Sequence, residues 1–339
     1  MRIIKLESLM VFLVLLCWSE VTLANVTEQR LSFEHDGYTL SAYFKSPSDA
    51  HKVKGVVFFI SGDGATPYDA DGYYDEIWQV FLDAGYAVFS WDKPGVGQSG
   101  GNWLKQSMLN RQGEVRSAIS FVKKHYPDKA QTIGVMGFSQ AGWVAPALMR
   151  NNPDISFMVG VGYAMNWLDQ SWYMTKIKLQ REKASSAQFR HARQRHQQER
   201  LFWKERPSYA NYVKLFADEK AVMSEERFNF VRKNVWSDAT KDYLNIKQPI
   251  LILLGDNDVY VDVMDTYNEL TLIYNGQDNA MIKIIPDATH GLLKYPEFDD
   301  ENNDLISLVK LLLLGKRAYA PDFFTTLSAW LEKLDSETP

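Results

Sequence analysis

The chain has 339 residues, 46% of them hydrophobic, with a net charge of −5 and a single cysteine. That length fits one large α/β domain with an insertion, or two domains, and the apolar content is ample for a sizeable core. The charge leaves no basic footprint for nucleic acid, and no Cys/His spacing suits zinc.

Residues 1–24 read as a targeting segment. Arg2 and Lys5 form a positive start, Leu9 to Trp18 is an apolar run of ten, and Thr22-Leu23-Ala24 offers a small-x-small cleavage site before Asn25. A membrane span needs roughly 20 apolar residues, so no stable span is expected once this signal is removed. Leu16 before Cys17 argues against a lipid anchor, and Cys17 is the sole cysteine. The expectation is an exported protein, periplasmic or extracellular, that relies on its core and not on disulfides.

Arg30 to Lys45 alternates polar and apolar residues around Asp36-Gly37, a β-hairpin signal. Gly55–Ile60 (GVVFFI) is continuously apolar, as a strand buried on both faces should be, and ends in Ser61-Gly62-Asp63-Gly64. Helical spacing follows over Tyr73 to Ala84, then a strand over Gly85 to Asp92 and a helix from about Gln106 to Tyr126. Thr132 to Phe138 and Phe157 to Gly162 read as further strands. From Ala164 to Lys247 the strand–helix rhythm stops, giving way to a polar, helical pattern interleaved with aromatics. It resumes with strands at Ile250–Leu254 and Met281–Ile285, and an amphipathic helix over Phe323 to Leu334 closes the chain. This order predicts a mostly parallel sheet with an antiparallel start, helices on both faces and an all-helical insertion. The expected divisions are 1–24 (signal), 25–163 and 248–339 (core), and 164–247 (inserted helical lid).

Gly137-Phe138-Ser139-Gln140-Ala141-Gly142 joins a buried strand to a helix through a run of small residues. A turn that tight pushes the serine hydroxyl out at the carboxyl edge of a sheet, and side chains two positions away must be small to avoid collision. Ala141 stands where glycine is usual and meets the same steric requirement. A serine nucleophile needs a base, and the base needs an acid to orient it. Of six histidines, His35 lies in the first hairpin, His51 in a polar loop, His125 at a helix end, and His191 and His196 in a highly charged helical stretch. Only His290 follows a core strand with glycine behind it. Asp256, Asp258 and Asp262 all follow the Ile250–Leu254 strand. Asp258 is the chosen acid, because two residues of turn beyond Gly255 let it reach over the sheet, while Asp256 ties down the loop. An oxyanion needs two backbone N–H groups. Gln140, after the nucleophile, supplies one, and Asp63 in the Ser61–Gly64 loop is the choice for the other.

The chain order Ser139, Asp258, His290, together with Asp92-x-x-Gly95-x-Gly97-x-Ser99, resembles the α/β-hydrolase superfamily over nearly all of the mature chain. It is most similar to the single-cap hydrolases grouped with serine aminopeptidases and small-ester hydrolases. In that family the helical lid falls where residues 164–247 interrupt the rhythm. The family often carries His-Gly where Ser61-Gly62 stands, which bears on the fine geometry of the oxyanion loop. The resemblance implies a serine hydrolase working by an acyl-enzyme, without metal or organic cofactor, on a small ester or a short peptide. An ester is the first expectation and an aminopeptidase the alternative, with Glu225-Glu226 as a possible amine-binding pair. Acyl transfer to another acceptor, or binding without catalysis on the same scaffold, stay open, as does the oligomeric state. Between Lys176 and Arg206 stand ten basic residues against three acids. They form either a solvated face or a border to the site that attracts anions.

Overall fold

The structure, a computed structural model, describes residues 26–48, 53–216, 222–299 and 305–337, so residues 1–24 and His51 lie outside it. Strands β1 (Val26–His35) and β2 (Tyr38–Pro47) form the hairpin. Its two-residue turn has φ of 47° at Asp36 and 78° at Gly37, the left-handed pair that matches strand twist and that Asp-Gly tolerates best.

The core continues through β3 (Gly55–Ile60), α1 (Asp75–Asp83), β4 (Tyr86–Trp91) and α2 (Met108–His125). It then runs through β5 (Ile133–Phe138), α3 (Ala145–Arg150) and β6 (Ile155–Val161). The sheet has eight strands in the order β1-β2-β4-β3-β5-β6-β7-β8, where β7 is Ile250–Gly255 and β8 is Ala280–Ile285. The β1–β2 and β2–β4 pairs are antiparallel and all others parallel, as the strand–helix alternation requires. Because β4 and β5 flank β3 on opposite sides, the chain reverses its direction of travel across the sheet there. Such a reversal opens a crevice at the carboxyl ends of the strands.

Successive residues of each central strand feed opposite faces. Val56, Phe58 and Ile60 join the cluster that holds Val115 and Ile119 of α2. Val57 and Phe59 join the opposite cluster, with Trp78 and Phe81 of α1 and Leu327 and Leu331 of α11 (Pro321–Glu337). With both faces covered, β3, β4, β5 and β7 are buried at every position, which is why their sequences run apolar without alternation.

Between β6 and β7 lie α4 (Trp167–Arg181), α5 (Ser186–Lys204), α6 (Tyr209–Leu215), α7 (Glu225–Asn234) and α8 (Thr240–Tyr243). The first four each start at a polar cap, Asn166, Ser185, Ser208 and Ser224, whose side chain accepts from backbone N–H groups of the first turn. After β7 come α9 (Val263–Ile273), β8, then α10 (Leu305–Leu314) and α11. Among the described residues no helix is long and apolar enough to cross a membrane.

Candidate active site

At the end of β5 the chain turns sharply, and Ser139 takes φ of 50°. A non-glycine residue in that region is strained, and the surroundings hold it there. A short 3-10 turn, Ser139–Trp143, follows before α3 begins. The α-helix itself begins only at Ala145, with Pro146 in its first turn. The small residues are needed from two directions. A Cβ on Gly137 would stand 2.8 Å from Ala141 Cβ, the collision across the turn, and would also run into the Tyr163 hydroxyl. One on Gly142 would stand 2.8 Å from the Tyr163 ring. Tyr163, fully buried just past β6, thus fills the space under the elbow.

The loops after β7 and β8 meet beside it. His290 Nδ1 lies 2.6 Å from Asp258 Oδ2. Asp258 Oδ1 accepts from the backbone N–H groups of Tyr260 (2.7 Å) and Val261 (2.9 Å), so the buried carboxylate is held on both oxygens. The Tyr260 ring packs edge-on to His290 at 5.2 Å. Beneath the imidazole, Gly162 has φ of 62°, and a Cβ there would stand 2.7 Å from His290 Cε1. Asp256 faces other partners, the Ala288 N–H (3.1 Å) and the Asn257 side-chain amide (2.6 Å), and Asp262 caps α9.

The loop Ser61–Gly64 runs past the elbow, where a Cβ on Gly62 would stand 3.3 Å from Ser139 Cβ. Asp63 does not point a bare carboxylate at the serine. It receives a two-pronged ion pair from Arg227 of α7, at 2.9 and 2.5 Å. Burial by itself would raise the Asp63 carboxyl; the hydrogen bonds and charge of Arg227, with Lys93, outweigh it and hold the group below its ordinary value. Gln140 is buried, and its side-chain oxygen accepts from Arg111 Nη1 at 2.8 Å.

A cavity of about 740 Å³ brings these groups together. Gly62, Asp63, Ser139, Gln140 and His290 line its core side. Trp167, Trp203, Tyr212 and Phe216 from the inserted helices are among the residues of the other wall. Within 176–206 only Glu199 and Trp203 line it among the described residues. Four of the basic residues of that stretch are engaged away from the cavity. Lys176 pairs with Asp262, Arg181 with Asp299 and Arg200 with Asp169, while Arg193 stacks on Trp172. Glu225 and Glu226 open α7 as first-turn acids, and neither lines the cavity. Of the other histidines, His35 bonds Ser117, His125 ends α2, and His196 is buried in α5 against Trp172. No cluster that could hold a metal occurs among the described residues.

A sequence model described as serine aminopeptidase, S33, matches residues 51–297, well over half of the chain. The chain belongs to that family. Solved structures agree on the fold of this S33-family hydrolase. The Pyrococcus furiosus esterase Pf2001 superposes with a TM-score of 0.56 at 16% identity, covering 91% of each chain. The proline iminopeptidase of Mycobacterium smegmatis gives 0.56 at 12% identity, covering 92% of this chain and 100% of its own. Est1E from Butyrivibrio proteoclasticus gives 0.53 at 12%, covering 91% and 99%. At these identities the likeness shows the α/β-hydrolase fold. No curated protein matches the sequence.

Sequence reasoning passed over several residues of this hydrolase's site: Tyr163, Gly162, Arg111, Lys93 and Arg227. Lys93 sits inside the Asp92-x-x-Gly95 motif and Gly162 at a strand end, so both carried a positional signal. Arg111 and Arg227 lie in no motif, and only long-range packing brings them to the loop.

Proposed function

We propose that this S33-family hydrolase is an exported serine esterase acting through an acyl-enzyme. The observation that carries the reading is the convergence on one cavity wall of a strained Ser139 and a His290 whose Nδ1 bonds buried Asp258. With Nδ1–H donating to Asp258, His290 Nε2 is the basic nitrogen. It takes the Ser139 proton as Oγ attacks the carbonyl carbon, then returns that proton to the leaving alcohol. Amides of Gln140 and Asp63 receive the oxyanion. Water, deprotonated by His290, then attacks the acyl-enzyme, releasing the acid and restoring Ser139. Residues 164–247 serve as the lid, and their aromatics favour an apolar acyl or aryl group.

Cleavage of an aminoacyl amide is the second reading. Glu199, the lid carboxylate that lines the cavity, is the group that favours it. Labelling by a fluorophosphonate, with a paired screen of p-nitrophenyl esters and aminoacyl anilides, separates the two and separates both from a non-catalytic binder. Ester turnover should exceed anilide turnover. Ser139→Ala and His290→Ala should each abolish turnover by several orders of magnitude in folded protein. A Ser139→Ala preparation that still turned over would remove the serine from the reaction. Export is tested by intact mass of the secreted material, which should begin near Asn25. Full-length protein held in a membrane fraction would make residues 9–18 an anchor.

A further inference from the structure

Two cations with almost no solvent exposure lie under the Ser61–Gly64 loop. Lys93 is 2% exposed and Arg111 4%. Taking an ammonium and a guanidinium out of water is costly unless their donors are used. Here they are used on one short segment. Lys93 Nζ donates to the carbonyl oxygens of Gly62 (2.5 Å) and Gly64 (2.9 Å). Arg111 Nη2 donates to the Ser61 oxygen at 2.5 Å, and its Nη1 donates to Gln140 Oε1 at 2.8 Å. Three of the loop's four carbonyls are therefore held by buried cations.

In a planar trans peptide the C=O and the following N–H point in opposite directions. Pulling the Gly62 oxygen toward Lys93 turns the Asp63 N–H the other way. Pulling the Ser61 oxygen toward Arg111 does the same for the Gly62 N–H. Gly62 backs onto Ser139, so the orientation of these two peptides decides whether an N–H or a carbonyl oxygen borders the reacting serine. A flipped peptide would present a lone pair to a developing anion. Arg111 also ties the loop to Gln140, fixing the spacing of the two segments that supply the amides.

We propose that Lys93 and Arg111 are positioning residues that preset the Ser61–Gly64 peptides as oxyanion donors; the inference rests on the acyl-transfer reading above. Neither cation touches substrate. Both are themselves fixed. The Lys93 backbone N–H bonds the Thr66 oxygen, and the adjoining Asp92 carboxylate accepts from the Tyr68 and Gln98 N–H groups. Arg111 leaves the first turn of α2, whose start is capped by Ser107. Burial, then the neighbouring Arg111 charge, pulls Lys93 well below its ordinary range. Two donated hydrogen bonds survive loss of one ammonium proton, so the grip does not depend on that charge.

The test compares an ester with its thionoester, whose sulfur accepts hydrogen bonds weakly and gains little from backbone donors. In Lys93→Met, kcat for the oxygen ester should fall by about 10²–10³-fold, the loss typical of one missing oxyanion donor. KM should stay within roughly threefold, since a ground-state carbonyl uses the donors less. The oxygen-to-sulfur rate ratio should compress by at least about tenfold, because the lost term is hydrogen bonding to oxygen. Arg111→Met is measured alongside, so that a failure to fold at one position leaves the other to decide, and thermal melts identify folded protein. A folded variant with kcat within about threefold of wild type, or one that loses kcat at an unchanged ratio, would overturn the inference. Wild-type protein inert to esters and to fluorophosphonate would instead sink the acyl-transfer reading, and this inference with it.

Discussion

Asp256 and Asp258 leave the same strand end, yet their partners differ completely. Asp256 pins the Ala288 amide, which fixes the loop after β8, while Asp258 bonds the His290 ring and two amides of its own turn. In the proposed mechanism, Asp258→Asn presents a donor where an acceptor is needed and favours the wrong imidazole tautomer. It should lower kcat by about 10⁴-fold. Asp256→Asn keeps an acceptor oxygen for the Ala288 N–H and should cost less than about tenfold. Steady-state kinetics on both variants checks this, and equal losses would move the acid to Asp256. Residue type and place in the chain order were enough to pick out Ser139, Asp258 and His290 as neighbours in space. Gly162 and Tyr163 were illegible as site residues, because their importance is a matter of what a side chain would strike across the sheet.

Helices α4 and α5 pack as a hairpin whose inner contact is His196 on Trp172, 5.6 Å between ring centroids. The sequence around His196 is highly charged, yet the residue is buried. Burial first, then the Arg200 and Arg193 charges, lower its pKa from 6.5, and Asp169 opposes them only in part. In the unfolded chain the imidazole takes up its proton near 6.5, before the folded state does. The folded state is thus fully favoured above 6.5, and loses that advantage as pH falls from 6.5 through the lowered folded value. Acidification from pH 7.5 to 5 should therefore lower the amide protection factors of α4 and α5, each taken against intrinsic exchange at the same pH, while those of β5 and β7 hold. His196→Gln, which cannot charge, should remove most of that acid sensitivity. Protection that falls equally in the variant would place the acid response elsewhere. Helix α10 shows the limit of periodicity at this scale. Its apolar run (LISLVKLLLL) buries Leu311 but leaves Leu305, Ile306, Val309, Leu312 and Leu313 exposed, and hydrophobicity alone did not reveal it as a separate element.

Across the whole molecule, opposite charges join the inserted helices to the core. Arg227 pairs with Asp63, Lys176 with Asp262 and Arg181 with Asp299, and the Tyr173 hydroxyl donates to the Asp258 carbonyl oxygen at 2.9 Å. Only Lys176 and Arg181 among these belong to the basic stretch between Lys176 and Arg206, and among the described residues no basic side chain of that stretch lines the cavity. Cations that do not line the cavity act on a substrate only over distance, and salt with a Debye length of about 8 Å at physiological strength screens that action. The kcat/KM values of an acidic ester and its neutral analogue should accordingly run parallel from low to physiological salt, their ratio constant within about twofold. A selective fall for the acidic ester would show that the basic stretch does steer substrates.

The α/β-hydrolase architecture, the strand identities and the elbow were readable from the chain because each depends on local pattern. A strand covered on both faces must be apolar throughout, a two-residue turn with left-handed φ needs Asp-Gly or its like, and a nucleophile turn needs small neighbours. Which cations reach the Ser61–Gly64 loop was decided only in three dimensions. Arg111 and Ser61 are 50 residues apart in the chain, and Arg227 and Asp63 are 164 apart. Their meeting follows from how α2 packs on the sheet and how α7 closes over it, and that depends on side-chain volumes throughout both clusters, which no short window of sequence contains.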